Sequence, residues 1–457
     1  MEGGGEMETE IQLNPLHSYR LEVDFGKTVE IRLKTGKAEI FGAELSPYIT
    51  YKFTATKTAI FTWHGCTFTV KGKTLKEYKW DESKGHTMPS LIYVNVHAYL
   101  NQQRELALIN ERIGPRVLVT GSNISGKSSV CKVLLNYATK TSWKPIFVDL
   151  DITNNETFVQ GTMGATVLET YFPDNFFEHP SLEFFYGYLD IASHPRLYQE
   201  QVRRLGACVN SKLQEDLKKS KTELFHIQDS EKEIPLHQEK MTCFSGVVVN
   251  MGPWSQNLNY DSIKETLAVV IDAFNIDTVL VIDDQSLNRT VEEVVGDRNV
   301  VIESLPKSGG VVQIDEKHKK EKLSKKFEEY FYGIDEKYRI KRHIVELPFD
   351  KFRLYKIGTL SEDVLPAYST GLSVMIPVKV DCRKLNIKKI VGVLNLSKNE
   401  NEEPTLEEMM SASLSYLVYI QEIRPETGKV VLLFPGPEEF VWTNAICLDS
   451  EIYSHIK

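Results

Sequence analysis

The sequence predicts an α/β protein in three parts: an N-terminal antiparallel β-sandwich, a central parallel sheet covered by helices, and a small β-rich C-terminal domain. Three observations predict it. Short β-type segments punctuated by glycine fill residues 19–70, strand-like apolar runs alternate with helical stretches over 117–305, and strand patterns return past Gly333. Strand–helix alternation builds a parallel sheet, because each crossover must carry the chain back over its face. Closely spaced strands with turn residues between them build antiparallel layers.

A length of 457 residues exceeds what one core ordinarily serves, in keeping with several domains. Residues 1–16, opening Met1-Glu-Gly-Gly-Gly-Glu6, are expected as a flexible tail. Segments 19–25, 28–33, 38–41, 50–54, 58–63 and 67–70 follow, with Gly26, Gly36, Gly65 and Gly72 between them, in the rhythm of a small sandwich. A candidate strand at 91–94 leads into a helix at 99–110, and Gly114-Pro115 opens the next unit. The domains are therefore set at 17–105, 106–335 and 336–457.

The central unit begins with Val117-Leu-Val-Thr-Gly121-Ser122-Asn123-Ile124-Ser125-Gly126-Lys127-Ser128-Ser129, in which a β-branched run breaks into G-x-x-x-x-G-K-S and resumes as a helix. The glycines let successive N–H groups turn inward to cradle a polyphosphate at the helix N-terminus. Lys127 can reach the β- and γ-phosphates and Ser128 can hold Mg²⁺. The pattern is a nucleoside-triphosphate site, Gly121, Ser122, Asn123, Ile124, Ser125, Gly126, Lys127, Ser128 and Ser129 being its binding residues. The central sheet is thus of the P-loop NTPase type.

The strand at 145–151 ends in Asp149-Leu-Asp151. Asp151 either works at the nucleotide site, ordering Mg²⁺ through water or accepting the proton of an attacking hydroxyl, or caps a turn. Residues 167–240 suggest a helical insertion, with a helix at 195–211. Further strands are expected at 247–251, 278–283 and 300–305, with a helix at 261–274. Trp254 follows the third strand in Gly252-Pro253-Trp254. The lysine-rich helix 315–329 is either a solvated face or a phosphate-facing lid, because cations near a transferring phosphoryl group stabilise its transition state. C-terminal strands include 372–380 and 430–434, the latter stopped by Pro435-Gly436-Pro437.

A net charge of −9 excludes a generally basic, nucleic-acid-coating surface, so any RNA contact must come from a local patch or from partners. The six cysteines show no zinc-ligand spacing and are expected as reduced thiols. No secretory signal stands at the start and no apolar run reaches the ~18–20 residues needed to cross a bilayer, so a cytosolic or nuclear protein is expected, without membrane contact.

Several stretches together resemble one family. They are Ala38-Glu-Ile-Phe-Gly-Ala-Glu-Leu45, Phe61-Thr-Trp-His-Gly-Cys66, Gly114-Pro-Arg-Val117, the phosphate loop, Gly161-Thr-Met-Gly-Ala165, Pro306-Lys-Ser-Gly-Gly-Val-Val312 and Glu329-Tyr-Phe-Tyr-Gly333. In this order they resemble the polynucleotide 5′-hydroxyl kinases of the Clp type, which are also the ATP-binding subunit of the pre-mRNA 3′-end cleavage factor. The resemblance implies ATP and Mg²⁺ as cofactors, a nuclear location, and partners among the cleavage-factor subunits, notably the scaffold that binds the RNA polymerase II C-terminal tail. It implies that the sandwich helps hold adenine, with Lys57 matching a basic nucleotide contact and Ser18 standing where relatives commonly carry glutamate. Trp254 is similar to a tryptophan on which an RNA base stacks; its other reading is a core tryptophan.

Two departures bear on chemistry. Active relatives have Asp-x-Gly-Gln where this chain has Asp151-Ile-Thr-Asn154, and two lid arginines are replaced by Ile314 and Lys319. Lysine keeps charge but loses the planar fork that suits phosphate oxygens, and isoleucine loses both. Two functions follow: an RNA 5′-hydroxyl kinase with Lys127 and Asp151 as its catalytic residues, or a catalytically inactive scaffold locked by ATP that binds other cleavage-factor subunits.

Overall fold

The computed structural model describes residues 8–85, 87–170, 181–228, 241–311, 316–333, 341–359 and 375–453. The N-terminal domain consists of β1 (Glu8–Leu13), β2 (His17–Glu22), β3 (Thr28–Gly36), β4 (Glu39–Ile40), β5 (Ala43–Glu44), β6 (Thr50–Thr54), β7 (Lys57–Thr62), β8 (Cys66–Lys71) and β9 (Lys76–Asp81). They form two sheets, β1-β8-β3-β6 and β5-β4-β7-β2-β9. Period-two alternation builds the sandwich: Val29, Ile31 and Leu33 of β3 and Tyr19 and Leu21 of β2 meet in one core. Residues 8–13, expected within a tail, are instead strand β1, paired antiparallel with β8 from Glu8↔Lys71 to Leu13↔Cys66. Its sequence carries little apolar signal because it is an exposed edge strand held mainly by its backbone bonds.

Residues 91–94 are not a strand but part of α1 (Pro89–Ile109), which runs across the expected 105/106 boundary. Proline at N1 starts the helix, and Tyr93, Leu100, Arg104 and Ala107 recur at helical spacing on its buried face. The guanidinium of Arg104 lies inside the protein, its Nε donating to the Ser245 carbonyl at 2.9 Å, so a charged residue occupies a core position.

The central sheet has the order β13-β12-β11-β14-β10-β15-β16. Its parallel strands are β10 (Arg116–Gly121), β11 (Ile146–Asp149), β14 (Val247–Asn250), β15 (Thr278–Ile282) and β16 (Val301–Leu305). The residues of β10, β11, β14 and β15 are buried throughout, as strands covered on both faces must be. β12 (Thr162–Val167), just ahead of the region expected as a helical insertion, and β13 (Ser181–Phe185), inside it, extend the sheet antiparallel. The helix after them, α3 (Pro195–Gln228), is twice as long as expected. It lies against α5 (Tyr260–Phe274), where a β-carbon on Gly206 would stand 2.5 Å from the Ala273 carbonyl oxygen; only glycine permits that approach. Also in this domain are α2 (Lys127–Lys140), α4 (Thr242–Ser245), α6 (Gln285–Val295) and α7 (Glu316–Tyr332).

The C-terminal sheet, order β17-β22-β21-β20-β23-β18-β19, contains β17 (His343–Pro348), β18 (Leu354–Thr359), β19 (Met375–Lys379), β20 (Lys389–Ser397), β21 (Leu414–Arg424), β22 (Lys429–Phe434) and β23 (Ala445–Leu448), with α8 (Leu406–Ser411). It shares a core with the central domain: Ile390, Leu417, Ile446 and Ile452 pack among Phe184, Phe185 and Phe331. No helix among the described residues is long and apolar enough to cross a membrane.

Candidate nucleotide-binding site

The phosphate loop leaves the C-terminal end of β10, in the middle of the sheet, and enters α2. Ile124 (φ 57°) and Gly126 (φ 93°) adopt left-handed backbone, the geometry that turns successive N–H groups to one side. A β-carbon on Gly121 would lie 2.4 Å from the Ile282 carbonyl oxygen, so glycine is required there. Lys127 is buried, and its Nζ donates to the carbonyls of Gly121 at 3.3 Å and Ser122 at 2.9 Å. Burial lowers its ammonium pKa, opposed by the charges of Asp151 and Asp284. The buried Ser125 hydroxyl has no hydrogen-bond partner. An orphaned donor, a lysine folded over the loop and a helix N-terminus without a side-chain cap suit a polyphosphate. Ser122, Asn123 and Ser129 line the same loop.

Ser128 sits at the first turn of α2, where its Oγ accepts from Asn250 Nδ2 at 3.3 Å. Asn250, the last residue of β14, also donates to Asp149 Oδ1 at 2.9 Å, so one amide links the serine to the wholly buried carboxyl at the end of β11. Asp149 further accepts from the backbone N–H groups of Asp151 (3.0 Å) and Glu156 (2.7 Å). Burial, then the neighbouring Asp151 charge, push its pKa up. Asp151 caps a turn: its Oδ1 accepts from Thr153 N (2.9 Å), Thr153 Oγ1 (2.7 Å) and Asn154 N (3.0 Å). It also lies close enough to Lys127 for their charges to interact. Magnesium on such loops takes one or two protein ligands plus phosphate oxygens and water, and Ser128 and Asp151 are the residues that would offer oxygens to it.

Below the loop, Glu156 gathers cations from two helices. Its carboxylate meets Lys132 of α2 at 3.0 Å, and Lys322 and Lys326 of α7 face it. Burial alone would raise its pKa, but the three ammonium groups hold it well below the usual carboxylate range. Lys322 donates to Asn154 Oδ1 at 2.6 Å; Lys326, buried, donates to the carbonyls of Asn155 and Phe158. These two lysines thus tie the expected lid to the loop after β11. Ile314 and the Lys319 side chain lie outside the described residues.

The sandwich docks on α2. Asn136 donates to the Phe41 carbonyl at 2.8 Å, Tyr137 to Glu39 Oε1 at 2.6 Å, and Lys140 pairs with Glu44, which accounts for the sequence Glu39-Ile-Phe-Gly-Ala-Glu44. Ser18 is buried in β2 and accepts from Arg20 Nε at 3.2 Å, while Lys57 pairs with Glu22 at 2.7 Å. Trp254, half-buried, packs on the central core, and its carbonyl accepts from Asn123 at 3.1 Å. The structure therefore groups residues 121–129 with Asp151 and Trp254, and places Ser18 and Lys57 on a separate wall. Sequence reasoning did not single out Asn250, Glu156 or Lys132. A polar residue closing the apolar run Val247-Val-Val-Asn250 was the available signal for the first; the ion cluster has none, since its members are distant in the chain.

Comparison with known proteins agrees with this architecture. Residues 12–107 match the N-terminal beta-sandwich domain of polyadenylation factor. Residues 121–225 and 226–333 match the P-loop of mRNA cleavage and polyadenylation factor CLP1. The chain is 30% identical over 444 residues to Protein CLP1 homolog of Arabidopsis thaliana, covering 94% of this chain and 90% of that protein. It is 31% identical over 442 residues to Polyribonucleotide 5'-hydroxyl-kinase Clp1 of Homo sapiens, covering 94% and 93%. In fold it resembles Clp1p from a solved Clp1p–Pcf11p complex, with a TM-score of 0.77 at 19% identity over 98% of this chain and 99% of that one. By sequence over nearly its full length, the chain belongs to the Clp1 family.

Proposed function

We propose that the protein is an ATP-binding subunit of the mRNA cleavage and polyadenylation machinery, holding ATP with Mg²⁺ on residues 121–129. The observation that carries this reading is the phosphate cradle itself, with its orphaned Ser125 hydroxyl and Lys127 folded over the loop. Lys127 would exchange its bonds to the Gly121 and Ser122 carbonyls for phosphate oxygens, and Ser128, steadied by Asn250, would ligate the metal. Bound nucleotide supplies the transferable phosphoryl group in family members named as kinases.

Two uses of that ATP are open to the fold. Asp151 near Lys127 and Trp254 beside Asn123 favour transfer to an RNA 5′-hydroxyl, with Asp151 taking its proton and Trp254 stacking a base. The tethering of Lys322 and Lys326 to residues 154–158 favours the second: a nucleotide retained as a structural ligand. ATP would then stabilise the assembled domains by mass action, about 4 kcal/mol at a thousandfold excess over Kd. On this reading the chain works in the nucleus and binds a scaffold of the Pcf11 kind, as the structural relative does.

Incubating the purified protein with labelled ATP, Mg²⁺ and a short 5′-hydroxyl RNA tests both. Saturable ATP binding that Lys127→Ala abolishes is expected in either case, and its absence from the wild type refutes the proposal. Label transferred to RNA in the wild type only assigns the kinase; binding without transfer assigns the structural ligand.

A further inference from the structure

Trp254 stands in the segment 252–258, between β14 and α5, and that segment is held from several sides. Gly252 lies on the backbone of Asp151, where a β-carbon would come 3.0 Å from Asp151 Cα. Asn123 of the phosphate loop donates to the Trp254 carbonyl at 3.1 Å. Beyond the tryptophan, the Asp190 carboxylate accepts from Asn257 Nδ2 at 3.2 Å, with the Ser255 hydroxyl also directed at it. Ser255 Oγ accepts from Asn257 N at 3.1 Å, which closes the turn. The Trp254 indole Nε1 is buried with no hydrogen-bond partner among the described residues, so packing and these anchors set the place of the ring.

Asp190 is itself fixed from inside the fold. It follows β13 and caps the single 3-10 turn Ile191–Ser193, its Oδ1 accepting from Ala192 N at 2.8 Å and its carbonyl from Tyr186 Oη at 3.2 Å. Tyr186 is buried, accepts from His194 N at 3.1 Å and meets Tyr198 of α3 edge to face, the ring centroids 5.7 Å apart. The hydroxyl of Tyr198, also buried, donates at 3.0 Å to the carbonyl of Leu150, the residue before Asp151. A closed circuit therefore runs from Asp151 through Tyr198, Tyr186 and Asp190 to the Trp254 segment, and back to Asp151 at Gly252. Packed interiors yield little, so this wall of tyrosines fixes the segment relative to Asp151.

We infer that Asp190 is a positioning residue: its carboxylate ties the Trp254 segment to the wall of Tyr186 and Tyr198, so that the indole is already in place when the terminal base of a single-stranded RNA arrives. The inference rests on the reading of Trp254 as the platform for an RNA base. Order present in the free protein is not paid for again on binding, so preorganisation adds to affinity. The charge of Asp190 works the other way. A carboxylate near a polyanion disfavours it, and deleting the group would by electrostatics alone tighten RNA binding. Positioning and electrostatics thus predict opposite signs.

Fluorescence anisotropy of a short 5′-hydroxyl RNA labelled at its 3′ end, with Mg²⁺ and a non-hydrolysable ATP analogue, tests this on the full chain. The wild type is compared with Asp190→Ala, Asp190→Asn, Asn257→Ala, Trp254→Ala and the double variant Asp190→Ala, Trp254→Ala, each also followed by melting curves and by calorimetric titration of the analogue. Trp254→Ala is expected to weaken RNA by about 5- to 150-fold. Asp190→Ala weakens it by at least about fivefold and Asn257→Ala by about two- to tenfold, while Asp190→Asn regains part of the loss because its amide oxygen still accepts from Ala192. Affinity for the analogue stays within about twofold, and in the double variant the change at Asp190 adds less than about twofold, since residues that act through one contact are not additive. Unchanged or tighter RNA binding in Asp190→Ala, beside a loss in Trp254→Ala, overturns the positioning role and leaves the platform standing. A full further loss in the double variant overturns it as well. If Asp190→Ala does not fold, Asn257→Ala decides, and RNA binding as tight as that of the wild type overturns the role. RNA binding that Trp254→Ala leaves unchanged, or that the wild type lacks, overturns the platform and the inference with it.

Discussion

Glu156 is the carboxylate that three buried or half-buried ammonium groups face, and replacing it with glutamine isolates their contribution. The variant keeps the side chain's size and an oxygen for Asn154 Nδ2, now 3.0 Å from Glu156 Oε1, but removes the charge opposite Lys132, Lys322 and Lys326. Removing one partner of a buried ion pair leaves an uncompensated charge and costs about 3–5 kcal/mol. That corresponds to about 6–20 °C in the midpoint of a domain of 150–250 residues. Thermal unfolding followed by circular dichroism reads the loss, and Lys132→Met in the glutamine background is expected to restore part of it, because the two sites couple. The sign of the pH dependence follows from the depressed folded-state pKa. Stability from Glu156 is fully present above the ordinary carboxylate pKa and is lost as pH falls through the lower, folded-state value. The wild type therefore loses stability more steeply than Glu156→Gln below about pH 4.5. A midpoint at neutral pH within about 1 °C of the wild type would refute the reasoning, since it would mean that solvent already screens the cluster.

Burial and the charges of Lys322 and Lys132 hold the Lys326 ammonium down to about 8, against the attraction of Glu156 and Asp149. The unfolded chain then keeps a proton that the folded one has lost, so wild-type stability rises between about pH 8 and 10.4, by about 3 kcal/mol, relative to Lys326→Met; denaturant titrations showing parallel pH profiles would exclude it. Tyr137→Phe removes the donor to Glu39 Oε1 across the docking face of α2 and is expected to cost about 1.5–3 kcal/mol, read as faster hydrogen exchange over residues 39–44; unchanged exchange there would show that the bond carries no docking energy.

The phosphate loop was legible because its chemistry is local: thirteen consecutive residues carry strand, turn and helix start. The strands ending in Asn250 and Ile282 were legible because burial on both faces leaves no polar position to confuse the pattern. Where the environment is mixed, local signals failed. Residues 8–13 alternate weakly because only Leu13 reaches the core fully, and the first turns of α1 were missed because Leu91-Ile-Tyr-Val94 is an unbroken apolar run that reads equally as a strand. Of the two readings of Asp151, the turn cap is present, and the same carboxylate stands close enough to Lys127 for their charges to interact. The lysines of α7 read as solvent-facing or phosphate-facing, and neither reading anticipated Lys326 buried against the loop after β11.

Helix α2 ties the phosphate loop and the sandwich into one structural unit. Its N-terminus faces the phosphate loop, while Lys132, Asn136, Tyr137 and Lys140, one to three turns on, meet Glu156 and the 39–44 segment. The Lys132 ammonium is also 5.6 Å from the Phe41 ring centroid, so the ion cluster beneath α7 and the docking surface share a side chain. A helix is stiff along its axis, so displacing its first turn displaces the whole contact row. On the proposed reading, phosphate that favours one position of the first turn changes the fit of the sandwich at the other end, and Arg20 lies beside Gly310, next to the Val311 that stands against Gly126. If the loop holds ATP as proposed, nucleotide affinity and domain docking are linked quantities: whatever loosens Tyr137 from Glu39 weakens ATP by the same factor by which ATP tightens that contact.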